Sequence, residues 1–203
     1  MNYKLAYAIG FHPWEDAEAC PAFFGRLTEL VAEVERDLGR PYGRALDVGT
    51  GSGIWAVALA KRGWQVIGID IVPKAIRRAR ARAKAEDVDV DFVHGDVTHL
   101  RDTSIADGYR LVLDTGTFHD FAPDARLAMG REIDAVASAD ATVILTVWPE
   151  RRRPLIRGVD ADGIEEAFPA WEVTDSGPTG YHPPRLLDAV LRPAERFYRL
   201  QRR

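Results

Sequence analysis

The chain has 203 residues, 46% hydrophobic and 29% charged, which fits one folded domain, 1–203, with a three-layer core. A net charge of −4 supplies no bulk attraction to a polyanion, so no nucleic-acid partner is expected. The single cysteine, Cys20, excludes an intrachain disulfide; with no apolar run of membrane length and no signal-peptide pattern, the chain reads as cytoplasmic, with no membrane partner.

Residues 1–20 are irregular and rich in aromatics (Tyr3, Tyr7, Phe11, Trp14), a composition that must pack against something. Residues 21–38 then place Phe23, Phe24, Leu27, Leu30, Val31, Val34 and Leu38 at helical spacing, with Gly39 as the stop. A short apolar strand, Ala45-Leu46-Asp47-Val48, runs into Gly49, Gly51 and Gly53, and an amphipathic helix follows from Ile54. The second strand is 65–70, ending on Asp70, and Pro73 opens a helix that runs to about Ala85. The basic face of that helix (Arg77, Arg78, Arg80, Arg82, Lys84) lacks aromatic interleaving and reads as a solvated face. The third strand, 90–93, ends at Gly95-Asp96. A polar connection, 102–107, leads to the fourth strand, 109–114. A helix over 123–137, with Leu127, Met129, Ile133 and Val136 inward, precedes the fifth strand, 142–148. Beyond it lie Arg151-Arg152-Arg153, a short helix near 162–168 and a sixth strand, 171–174. A Gly/Pro-rich loop, 176–184, and a final strand, 197–200, complete the chain. The series is α/β.

The glycine turn carries the chemistry. Three glycines at alternate positions let the backbone turn sharply and let a ligand approach where a Cβ would block it. The helix behind them presents unpaired N–H groups. The spacing G-x-G-x-G, with Ile54 at the third dinucleotide position, departs from G-x-G-x-x-G, and no Gly-Lys-Ser/Thr follows for a phosphate loop. Asp47, just before the first glycine, would repel a pyrophosphate and suits a cationic ligand. Asp70, about twenty residues on, stands where an acid grips a ribose diol.

With these residues the sequence resembles the class I S-adenosylmethionine-dependent methyltransferases, over residues 44–148. The likeness rests on Asp47, Gly49, Gly51 and Gly53, then Asp70, then Asp96 where the family binds the adenine amino group, then the fourth strand ending on Asp114. It implies a Rossmann-like seven-stranded, mostly parallel sheet with an antiparallel last strand and helices on both faces. It implies S-adenosylmethionine held by Asp47, Gly49, Thr50, Gly51, Gly53, Asp70, Ile71, Asp96, Val97 and Asp114. Residues 1–40 would then be a lid segment and helix, 44–148 the cofactor core and 149–203 the substrate side. The N-terminal segment is either a flap over the core or a lid, with Trp14 and His12 as its contacts.

The loop Asp114-Thr115-Gly116-Thr117-Phe118-His119-Asp120-Phe121 borders the transferable methyl, since ligands sit beyond the carboxyl ends of parallel strands. It lacks the Pro-Pro motif of amino-directed nucleic-acid methyltransferases. The metal-dependent catechol type needs oxygen ligands after strand five, where Val147-Trp148-Pro149 stands, so no metal is expected. The wording Leu113-Asp114-x-Gly116-x-Phe118-His119, with Arg126 after it, is similar to a bacterial branch near thiopurine and tellurite-resistance methyltransferases. His119 is the candidate general base, because an unperturbed imidazole titrates near neutrality; the plainer reading is a turn histidine bonded to Asp120. Asp114 joins it at the methionine end or the acceptor. Arg151 is either solvated or an anion clamp. The expected activity is methyl transfer to a small-molecule O, S or N nucleophile. The alternatives are a non-catalytic S-adenosylmethionine-binding module and, against Asp47, an NAD-dependent oxidoreductase. Oligomeric state has no signal in the sequence.

Overall fold

The computed structural model describes residues 20–150, 157–181 and 195–203. Helix α1 is Pro21–Leu38, followed by β1 (Arg44–Val48), α2 (Ile54–Arg62), β2 (Gln65–Asp70), α3 (Pro73–Ala85) and β3 (Asp91–His94). After a 3-10 turn, Val97–Asp102, come β4 (Tyr109–Thr115), a second 3-10 turn, Phe118–Asp120, and α4 (Pro123–Val136). The order closes with β5 (Ala137–Val147), α5 (Ala161–Ala167), β6 (Trp171–Pro178) and β7 (Arg196–Arg202).

The seven strands form one sheet in the order β3-β2-β1-β4-β5-β7-β6. β1 pairs in parallel with β2 and β4, and β5 in parallel with β4. β7 slots between β5 and β6 and is antiparallel to both. The expected Rossmann-like sheet is therefore present, with the chain's last strand in an interior position. The order reverses at β1, which has β2 on one side and β4 on the other. Crossovers leave in opposite directions there, and a crevice opens at the strands' carboxyl ends.

Strand period two sorts the core into two layers. Ala45, Leu111, Leu113, Ile144 and Phe197 face α1, α2 and α3, meeting Phe23, Leu27, Leu30, Trp55, Leu59 and Ile76. Leu46, Val48, Val112, Val143 and Leu145 face the other way, onto Met129, Ile133 and Val136 of α4 and Ile164 of α5. Within α1 the buried set Phe23, Leu27, Leu30, Val31 and Val34 follows the predicted stripe. A polar clasp ties this layer at its edge: Glu35 of α1, buried, accepts both Arg62 of α2 and the indole N–H of Trp64. Leu127, expected inward on α4, is only half-buried, and Glu132 is buried instead, bonded to Arg101.

Strand lengths differ most from expectation at the sheet's far side. β5 begins at Ala137, directly from α4, because Ala137 already pairs with Tyr109 across a register shift. β6 extends to Pro178, so Ser176–Pro178, read as loop, are strand; β7 provides a long antiparallel partner that the local pattern does not announce. No helix among the described residues is long and apolar enough to cross a membrane.

The contact between α4 and α5 gives a direct check. A Cβ at Gly130 would lie 1.9 Å from the Ala167 carbonyl oxygen, whereas at Gly25, on the open side of α1, it would meet nothing within 4 Å. In urea denaturation Gly130→Ala should lower stability by about 1–3 kcal/mol through forced separation of the helices. Gly25→Ala should raise it by about 0.5–1 kcal/mol through helix propensity. Equal effects would show that α4 and α5 are not in backbone contact.

Candidate functional site

The crevice is built around the turn from β1 into α2. Gly49, Gly51 and Gly53 all lie at positive φ, 64°, 55° and 78°, the left-handed region that a side chain disfavours. Gly49 is doubly constrained: its Cβ would stand 1.8 Å from Thr117 Oγ1, so the turn packs directly against the loop after β4. The Thr50 N–H reaches the Ile69 carbonyl at 2.9 Å, and Gly53 N–H closes back on the Thr50 carbonyl at 2.8 Å. From the far side, Arg82 of α3 donates to the Ser52 carbonyl. Two of the basic side chains read as a solvated face thus reach backbone carbonyls, since Arg80 donates to that of Phe92.

Four carboxylates surround this turn, and their surroundings divide them. Asp47 is 1% exposed. Its Oδ2 accepts the Thr50 hydroxyl at 2.6 Å and the Ala56 N–H at 3.0 Å, capping the first turn of α2, while Oδ1 has no hydrogen-bond partner. Burial pushes its pKa up to about 7, opposed by those two bonds and assisted by Asp114 and Asp70. Asp70, at the end of β2, accepts Gly51 N–H on Oδ2 at 2.9 Å and Val72 N–H on Oδ1 at 2.8 Å. Ile71, next to it, is 43% exposed, a large apolar side chain standing open at the mouth of the crevice. Asp96, after β3, caps the following turn through Oδ1, which accepts Thr98 N–H and hydroxyl, and its side chain is partly exposed. Val97 beside it is buried.

Asp114 departs from expectation. It has no exposed surface. Its Oδ1 accepts the N–H groups of Gly116 and Thr117 at 2.9 and 2.8 Å, and its Oδ2 accepts that of Phe118 at 3.0 Å. The side chain is turned into its own loop rather than toward an acceptor, and burial pushes its pKa up to about 7. It holds the loop against the glycine turn.

His119 is 6% exposed on the 3-10 turn, and its Nδ1 has no hydrogen-bond partner. Burial lowers its pKa to about 4, with the Asp120 carboxylate and the Thr146 backbone acting the other way. The ring is therefore neutral at pH 7 and a weaker base than an unperturbed imidazole. Arg126 donates to the carbonyls of His119 and Gly158, tying the loop after β4 to that after β5. His94 and His99 are exposed. His12, Trp14 and Arg151 lie outside the described residues. Two buried polar groups carry no motif: Thr146, a hydroxyl directly after the apolar run Val143-Ile144-Leu145, and Glu195, just before β7. Only the first leaves a trace in the sequence pattern.

A family model described as a methyltransferase domain matches residues 45–140. Thiocyanate methyltransferase 1 of Arabidopsis thaliana is 31% identical over 138 residues, 67% of this chain and 59% of the plant protein. Ribosomal protein L11 methyltransferase of Geobacter sulfurreducens is 42% identical over 77 residues, which are 37% of this chain and 21% of that protein. The chain thus spans less than two thirds of the length of these relatives. Among solved structures, Burkholderia thailandensis 1,6-didemethyltoxoflavin-N1-methyltransferase, with bound 1,6-didemethyltoxoflavin and S-adenosylhomocysteine, superposes with a TM-score of 0.74. It is 19% identical, and the match covers 99% of this chain and 85% of that one.

The inward turn of Asp114 is open to measurement. Asp114→Ala leaves three buried N–H groups without their acceptor, so urea denaturation should show a loss of about 2–4 kcal/mol. A loss under about 1 kcal/mol would mean that the loop is held by something else.

Proposed function

Because the chain belongs to the class I S-adenosylmethionine-dependent methyltransferase family, we propose that it binds S-adenosylmethionine at the carboxyl ends of β1, β2 and β3. We propose further that it methylates a small-molecule O, S or N nucleophile held beyond β4 and β5. The observation that carries this reading is the pair of carboxylates on the glycine turn. Asp70 already accepts Gly51 N–H, and Asp47 keeps an unpartnered oxygen beneath the same turn.

The residues present fit that donor. Gly49, Gly51 and Gly53 offer backbone at close range. Asp70 stands at the end of β2 where a ribose diol would lie, Ile71 has an exposed apolar surface for the face of an adenine, and Asp96 Oδ2 is an acceptor for its amino group, with Val97 N–H beside it. Asp47 sets a negative potential under the turn, favourable to a sulfonium and unfavourable to a pyrophosphate. That contrast opposes the nicotinamide alternative. When bound, S-adenosylmethionine supplies an electrophilic methyl on a positively charged sulfur. The protein's part is orientation and exclusion of water: Asp114 fixes the loop that walls the acceptor, Gly49 and Thr117 lock that loop to the donor turn, and neutral His119 offers Nδ1 as a hydrogen-bond acceptor. Small-molecule methyl acceptors are also named for the plant and Burkholderia relatives.

Equilibrium dialysis with labelled NAD and S-adenosylmethionine tests the cofactor, and release of S-adenosylhomocysteine with a panel of thiols, phenols and carboxylates tests turnover. Tight NAD binding without sulfonium binding would overturn the reading; donor binding with no turnover on any acceptor would favour a binding module. Asp70→Ala should weaken S-adenosylmethionine and S-adenosylhomocysteine alike by about ten- to a hundredfold, the value of one to two charge-assisted hydrogen bonds.

The pH dependence has a definite sign. The folded-state pKa of Asp47 is raised, to about 7, so its proton is retained from the unfolded value near 4 up to neutrality and lost above it. The ionised form attracts a sulfonium but not a neutral thioether. The preference for S-adenosylmethionine over S-adenosylhomocysteine should therefore rise from pH 6 to pH 8 in calorimetric titrations. A flat ratio would remove Asp47 from donor recognition.

A further inference from the structure

At the carboxyl edge of the sheet, past β4 and β5, lies a second set of buried polar groups that the donor site does not use. Thr146 is the penultimate residue of β5, in register with Thr115 of β4 and Phe197 of β7. It has no exposed surface, and its Oγ1 makes no hydrogen bond of good geometry, the Glu195 carboxyl being close by. Glu195, 9% exposed, stands just before β7; its Oε2 accepts the Thr179 hydroxyl at 2.8 Å, and its carbonyl accepts Thr179 N–H at 3.1 Å. Burial pushes the Glu195 carboxyl up to about 7, and the Thr179 hydroxyl pulls the other way, as does that of Thr146, which lies close by. A buried hydroxyl without a well-formed bond and a buried carboxyl are both costly, and a fold retains them where a ligand completes the bonding. The wall beside them is aromatic: Trp148 meets Tyr181 edge-on at 6.0 Å, Tyr181 meets Phe23 at 5.8 Å, and Phe23 meets Trp55 at 6.0 Å.

We propose that Glu195 and Thr146 form the polar floor of the acceptor site, and that they receive the neutral O–H or N–H of a planar aromatic acceptor. This rests on the methyltransferase reading above and deepens it. As the methyl moves, its carbon–sulfur bond breaks and a carbon–oxygen or carbon–nitrogen bond forms. The acceptor's proton passes to the Glu195 carboxylate, and the donor leaves as a neutral thioether. A carboxyl that titrates near neutrality suits this transfer better than His119, which burial holds as a weak base. An anionic acceptor does not suit the floor. Among the described residues, Arg126 donates to two carbonyls, Arg26 pairs with Glu29 and Asp175, Arg199 pairs with Glu33 and Asp37, and Arg196 reaches the Ser176 hydroxyl. An anion would have to be desolvated beside Glu195 without compensation.

The test uses the full chain with S-adenosylmethionine as donor, 1-naphthol as the neutral planar probe and thiocyanate as the anionic one. Wild type should methylate 1-naphthol in preference to thiocyanate. Glu195→Gln should lower kcat on 1-naphthol about a hundredfold or more, with S-adenosylhomocysteine affinity changed by less than about twofold. Thr146→Val exchanges a buried hydroxyl that makes no well-formed bond for a methyl of the same size. It should raise KM for 1-naphthol and raise Tm by about 2–4 °C, whereas a purely structural hydroxyl would give a lower Tm. Preference for thiocyanate, absence of 1-naphthol turnover in a chain that binds the donor, unimpaired Glu195→Gln, or a lowered Tm in Thr146→Val each overturns the proposal. A wild-type chain that binds neither S-adenosylmethionine nor S-adenosylhomocysteine removes the methyltransferase reading itself.

Discussion

Asp70 at the end of β2 accepts the N–H of Gly51 across the crevice, while Asp47 at the end of β1 takes the Thr50 hydroxyl and the Ala56 N–H from beneath. Together these bonds fix Thr50 and Gly51 of the turn and the first turn of α2 behind it. Three residues in the left-handed region cannot hold such a shape by themselves, because glycine gives up the most freedom on ordering. The carboxylates supply the restraint, and the β4 loop, wedged against Gly49 through Thr117, supplies the other wall.

The same acids show how one residue type serves two purposes. Asp47 and Asp114 are buried and bond to their own loops, and desolvation raises both. Asp70, also buried, anchors the backbone of Gly51 and Val72 instead, and Asp96, beyond the end of β3, caps its turn with one oxygen while its side chain stays partly exposed.

The acceptor half depends on long-range assembly. β7, from the end of the chain, enters between β5 and β6 and brings Glu195 to the edge where β4 and β5 finish. α1, from the start of the described chain, brings Phe23 against Trp55 and Tyr181. This architecture hosts many acceptors, and the relatives differ accordingly, so an acceptor has to be argued from these particular side chains rather than from the fold.

Local sequence determined the parts whose signals are local. Apolar strands ending on Asp47, Asp70 and Asp114, glycines at alternate positions and the helical stripe of α1 each encode their own conformation through sterics and periodicity. The donor site, contributed mostly by residues 45–97, was legible for that reason. Direction was harder to read: Asp114 is visible as an acid at a strand end, but whether it faces a ligand or its own loop depends on three N–H groups that only the folded turn aims at it. Basicity was harder again, since the titration of His119 and Glu195 is set by burial under distant segments. The order of the last two strands, and the meeting of Thr146, Thr179 and Glu195, belong wholly to the tertiary structure, because antiparallel pairing between β5, β7 and β6 joins residues whose separation along the chain carries no periodic trace.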